Sequence, residues 1–178
     1  MKKYKKILIV THQYLPHVSP RTTRWKLLVD ELIANGHNVS ILTGMYPDFD
    51  TNNVEILYFG NKNNINIVSN LREKSKQVAS GDAIKKTFYG VLKKIYRFFI
   101  NYLAWPDYSM FWLYQIYKNR NKISKDYDVI ISVSLPFSSH MAAYFINKKV
   151  KKHWIMDIGD PFSLKVDAPE NNRFLYSG

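Results

Sequence analysis

The sequence predicts an α/β fold: a Rossmann-like open parallel sheet with helices on both faces. Three observations lead there. Compact apolar, β-branched runs stand at Lys6–Thr11 and Asp128–Ser134, the pattern of parallel strands buried on both sides. Strand-like runs alternate with helical patterns along the chain. Three polar loops, His12–Ser19, Ser134–His140 and Asp157–Pro161, follow strands at the carboxyl ends, where sheets of this kind hold their ligands.

Taken in order, Lys6–Thr11 is the first strand and His12–Ser19 the loop after it. Ser19-Pro20 opens a helix, with Ser as N-cap and Pro at the first helical position. Trp25, Leu28, Val29, Leu32 and Ile33 recur at helical spacing as its apolar face, and Asn35-Gly36 ends it, glycine tolerating a left-handed cap. Val39–Thr43 is the second strand, which completes a βαβ unit with a right-handed crossover. Val54–Phe59 alternates like a third strand, the Asn-rich stretch Asn61–Asn66 reads as loop, and Leu71–Ser80 is a polar helical candidate. Ala83–Trp105 is a long amphipathic helix stopped by Pro106, and Tyr108–Ile123 an aromatic-rich one. Asp128–Ser134 is the fourth strand. Pro136–Val150 is a loop and helix with Met141, Tyr144, Phe145 and Val150 as expected core, and Trp154–Ile158 is a fifth short strand. The whole of 1–178 reads as one domain, with no internal repeat and no low-complexity linker.

Composition narrows the function classes. With no Cys among 178 residues, disulfides, thiolate metal sites and cysteine nucleophiles are excluded, and a reducing, cytoplasmic setting fits. Lys and Arg number 26 against 14 Asp and Glu, a formal charge of +12, which predicts attraction to polyanions such as anionic lipid or phosphorylated ligands. No helix-turn-helix or aromatic RNP signature accompanies the charge, so no nucleic-acid partner is expected. The apolar run after Met1–Lys6 is too short for a signal peptide and lacks a cleavage site, and no stretch is long and uncharged enough to span a bilayer.

At family level, the order Ile7-Leu8-Ile9-Val10, Tyr14-Leu15-Pro16, Arg21–Leu32 and Gly36-His37-Asn38-Val39-Ser40-Ile41-Leu42-Thr43 resembles the opening of retaining family-four GT-B glycosyltransferases. Trp105-Pro106-Asp107, Asp128–Ser134, Pro136-Phe137-Ser138-Ser139-His140, Trp154–Asp157 and Asp160-Pro161 are similar to one bacterial subgroup of that family, whose members make surface polysaccharides. The match covers most of Lys5–Phe162. It implies one half of a GT-B fold, the acceptor-side domain, and transfer of a sugar from a nucleotide-sugar to a lipid- or polysaccharide-linked acceptor. The family's first loop is usually glycine-rich, so that backbone N–H groups approach the donor diphosphate. Here it reads Pro16-His17-Val18-Ser19-Pro20. The donor-binding domain with its paired-glutamate motif has no counterpart in this sequence, so the chain alone is expected to have little or no transferase activity and to need a donor-binding half, in a separate chain or elsewhere. A non-catalytic nucleotide-binding or partner-dependent module is the alternative.

Candidate site residues follow from the three loops and the resemblance. His12, after the first strand, would orient an acceptor hydroxyl or a phosphate, or else be a polar loop residue satisfied by backbone. Arg21 in the first helical turn suits a phosphate or else belongs to a solvated helix face; Arg24 reads rather as the latter. Ser138 and Ser139 suit helix caps, and His140 is either a second acceptor contact or a helix residue packed on the sheet. Asp157 and Asp160 flank a strand end. The resemblance places a carboxylate such as Asp160 near the acceptor, while Asp-Pro also suits a plain turn. Two Asp without a His or third carboxylate make a poor metal site, and no metal or cofactor is expected. In the helix Ala83–Trp105, Val91, Leu92, Ile95 and Phe98 belong to a wide apolar stripe, with Lys85, Lys86, Lys93, Lys94, Arg97 and Trp105 around it. That pattern fits a helix lying on an anionic membrane surface, peripheral on the inner face, and equally a core helix with a basic edge.

Overall fold

The computed structural model describes residues 4–45, 54–60, 91, 92, 94, 95, 98, 106–123, 126–134 and 136–159. The chain divides into two compact units, Met1–Gly60 with Ser109–Pro161, and Asn61–Tyr108 with Phe162–Gly178. The first holds an open, all-parallel five-stranded sheet of β1 (Lys6–Val10), β2 (Asn38–Thr43), β3 (Glu55–Tyr58), β4 (Val129–Val133) and β5 (His153–Asp157), in the order β3-β2-β1-β4-β5. Its helices are α1 (Pro20–Ala34), α2 (Met110–Asn119) and α3 (Ser138–Val150). The expected α/β, Rossmann-like architecture is therefore present.

Register explains how one strand feeds two cores. Ile7 and Ile9 of β1 stand opposite Val39 and Ile41 of β2. They pack with Trp25 and Val29 of α1 on one face. The alternate residues Leu8 and Val10 join Leu42, Ile130 and Ile116 on the other face, under α2 and α3. Because successive side chains alternate across a strand, β1 is buried on both sides, and helices cover both faces.

The helix boundaries have local causes. Ser19 caps α1 in a reciprocal box: its side chain accepts from the Thr22 N–H while the Thr22 hydroxyl accepts from the Ser19 N–H. Gly36, with φ of 86°, takes the left-handed turn after the helix. Leu28, expected on the apolar face, is exposed instead, because Trp25 and Val29 centre the buried stripe and leave position 28 at its flank. α3 departs further. Its buried apolar residues are Ala142, Ala143 and Ile146, with Met141, Phe145 and Val150 only partly covered and Tyr144 exposed. Alanine lets the helix axis come close to the sheet, and the larger side chains are displaced to the seam and the outside.

In the second unit, residues 91, 92, 94, 95 and 98 are helical, and Val91, Leu92, Lys94, Ile95 and Phe98 are exposed. Lys85, Lys86, Lys93, Arg97 and Trp105, and the helical candidate Leu71–Ser80, lie outside the described residues. Among the described residues no helix is long and apolar enough to cross a membrane.

Candidate functional site

The sheet order places the site. After β1 the chain leaves into α1 on one face; after β4, its neighbour, it leaves into α3 on the other. Between these two strands the connections diverge, which makes their carboxyl ends the switch point where sheets of this kind form a ligand crevice. His12 stands there, fixed by its backbone from three directions. Its N–H donates to Ser139 Oγ at 3.1 Å, and its carbonyl accepts from the Gly44 N–H and the Thr43 hydroxyl, each at 3.1 Å. The His12 ring meets Trp112 of α2 edge-on, with centroids 5.1 Å apart. A Cβ on Gly44 would lie 2.6 Å from His12 Cδ2 and 2.9 Å from Trp112 Cδ1, so glycine is what lets the two rings close over the end of β2. His12 keeps part of its surface open, yet desolvation of the ring, with the charge of His17 adding to it, lowers its pKa to about 4.

His140 sits one residue beyond Ser139, in the first turn of α3. It is 2% exposed, so the expected acceptor contact meets a ring closed off from solvent. Its Nδ1 lies 2.7 Å from Ser132 Oγ, and the same hydroxyl accepts from Trp154 Nε1 at 2.8 Å. A serine hydroxyl has one proton and two lone pairs. It can therefore take the indole N–H and still bond either tautomer of His140. Desolvation lowers the His140 pKa to about 4, against a smaller opposing pull from Asp157. Both histidines are thus neutral at pH 7.

No protein-family model and no curated protein matches this chain.

Other expectations divide. Ser138 and Ser139 are buried but not caps: the N-cap position of α3 is Phe137, with no side-chain cap bond, and Ser139 Oγ instead accepts from His12. Arg24, read as solvated, reaches across to Asp157 at 2.5 Å, and Trp25 Nε1 donates to the same carboxylate oxygen at 2.7 Å. That carboxylate fastens α1 to the end of β5. Arg21 is partly buried in the first turn of α1, the helix on the face opposite the His12–Trp112 contact. Asp160 lies outside the described residues. The loop leading to it is tied down, since Ser134 Oγ donates to the Asp157 carbonyl at 3.0 Å and accepts from the Gly159 N–H at 3.1 Å.

Sequence reasoning missed Ser132, Gly44 and Trp112. Ser132 had a signal, a polar residue inside the apolar run Val129–Val133. Gly44, directly after a strand, had a weaker one. Trp112 had none beyond its size. Among the described residues no three His, Asp or Glu side chains gather as a metal site would need. The chemistry available at the crevice is hydrogen bonding by a neutral imidazole beside two helix amino ends.

Proposed function

We propose that this chain is the acceptor-side domain of a retaining GT-B glycosyltransferase that passes a sugar from a nucleotide-sugar to a hydroxyl on a lipid- or polysaccharide-linked acceptor. The ordered motifs and the sheet order support the reading. The observation that carries it is His12: a partly open, neutral imidazole held at the switch-point crevice by α3, α2 and the end of β2. A neutral ring still carries one N–H, which donates to the acceptor hydroxyl oxygen and so aims it, leaving that hydroxyl's own proton free for the departing diphosphate, while the adjacent cleft holds the sugar. His140, next in sequence to the Ser139 that holds the His12 backbone, is joined through Ser132 to Trp154 and acts as a positioning residue.

In the transfer, the acceptor oxygen forms the new bond to the anomeric carbon as that carbon's bond to the diphosphate oxygen breaks. The hydroxyl proton leaves with the nucleoside diphosphate. In this reading the departing phosphate is stabilised by the Arg21 guanidinium and the positive amino end of α1. The nucleotide itself is held by a second Rossmann-like domain, in the same polypeptide or as a separate chain. A lipid-linked acceptor sets the protein on the cytoplasmic face of the membrane.

Transfer from labelled nucleotide-sugars to a lipid extract, by the gene product together with its donor-binding half, tests this. His12→Ala is expected to lower kcat/KM about a hundredfold with the fold intact. Absence of any transfer by the parent protein, or an undiminished rate in the variant, sinks the reading.

A further inference from the structure

The outer side of the α2–α3 layer carries features the proposed chemistry does not use. Phe111 and Tyr114 of α2 are 56% and 59% exposed, and Tyr117 and Tyr144 are also open to solvent. Tyr117 and Tyr144 are joined through Phe145. Tyr117 meets Phe145 across the seam between the helices at 5.2 Å, Phe145 meets Tyr144 at 5.6 Å, and Tyr144 leans towards Trp154 of β5 at 6.5 Å. An aromatic band of this extent on a water-facing side marks an interaction surface.

The charges beside it are of one sign. Lys118, Arg120 and Lys122 gather at the end of α2. Lys148, Lys149, Lys151 and Lys152 gather at the end of α3, and Lys149 Nζ bonds Asn121 Oδ1, so the two cationic ends adjoin. Neither 110–123 nor 138–153 contains an Asp or Glu. The next carboxylates, Asp126 and Asp128, both engage Lys6, one through its ammonium and the other through its backbone N–H. Among the described residues no ion pair joins any of the seven cations to a carboxylate.

We infer that this face docks on an anionic lipid bilayer, its rings entering the headgroup layer and its lysines resting on lipid phosphates. Tyrosine rings and the alkyl stems of lysine both settle at that depth, and each cation near an anionic surface adds to the attraction. A second copy of the chain would bring like charges together. Single-stranded nucleic acid needs rings interleaved with cations along a groove. Here the cations collect at the carboxyl ends of both helices, while Phe111 stands at the amino end of α2. The inference is independent of sugar transfer.

Co-sedimentation of the whole chain with vesicles tests it, using phosphatidylcholine alone and an equimolar mixture with phosphatidylglycerol. Binding to the mixture and not to the neutral vesicles is expected. Lys148→Glu with Lys149→Glu should weaken it at least about tenfold, and Phe111→Ser with Tyr114→Ser should weaken it severalfold, both at an unchanged melting temperature. These side chains are exposed, so neither pair threatens the fold. No binding by the parent chain overturns the inference, as does binding that both variants retain in full. Tighter binding to a single-stranded oligonucleotide, lost in the lysine variant and kept in the aromatic one, overturns it in favour of a polyanion site. Vesicle binding that survives in His12→Ala while transfer falls keeps this inference apart from the proposed activity.

Discussion

The two faces of the sheet are built on different terms. On the α1 side polar groups fasten structure: Ser19 and Thr22 close the helix start on each other, and Asp157 accepts from Arg24 and Trp25 to lock α1 to β5. On the α2–α3 side polar groups are enclosed without gaining stability from their charge. His140 is buried as a neutral ring, both helices begin without side-chain caps, and His12 is wedged between their amino ends. The burial of His12 and His140 thus carries a penalty that appears only when they would take up a proton, whereas the polar groups on the α1 side hold the structure together through their own bonds.

The largest test of that contrast is pH. Both histidine pKa values lie near 4, below the unfolded value of 6.5. Above pH 6.5 the folded and unfolded chains are equally neutral at these rings and nothing is lost. As pH falls further the unfolded chain takes up protons that the folded chain refuses, and stability drops until pH reaches about 4. At pH 5 the loss should be about 2 kcal/mol for the enclosed His140 and less for the partly open His12. Urea unfolding at pH 7 and pH 5 measures it, and His140→Gln should remove most of the difference. A parent protein equally stable at both values would break the contrast.

On the α1 side, Asp157→Ala leaves the Trp25 N–H without its acceptor and should cost about 2 kcal/mol. Most of that comes from the buried indole rather than from the half-exposed Arg24 pair, which is worth little by itself. Arg24→Met should therefore be much milder, and equal losses from the two would assign the fastening to the ion pair. The smallest effect is at the cap: Ser19→Ala should cost about 1 kcal/mol, seen as a modest fall in the urea midpoint.

The alternation of apolar runs with punctuated helices was enough to read the sheet, because strand burial and helix caps leave their marks on neighbouring residues. The start of α1 was legible as Ser19-Pro20 and its end as Asn35-Gly36. The packing of α3 was not, since hydrophobicity favours Tyr144 and Phe145 whereas close approach favours Ala142 and Ala143. His12 and His140 could be picked out as histidines at strand ends, but the enclosure of His140 depends on Ser132 and Trp154, whose bond spans 22 residues of sequence. The pairing of Arg24 with Asp157 joins positions 133 residues apart, and no local pattern announces it.

Ser134 binds the turn after β5 from a position just past β4, so two stretches of chain share a single hydroxyl as their common anchor. A displacement of Ser134 is therefore transmitted through that hydroxyl to Asp157 and Gly159. Two rims of the crevice are thereby made to answer as one.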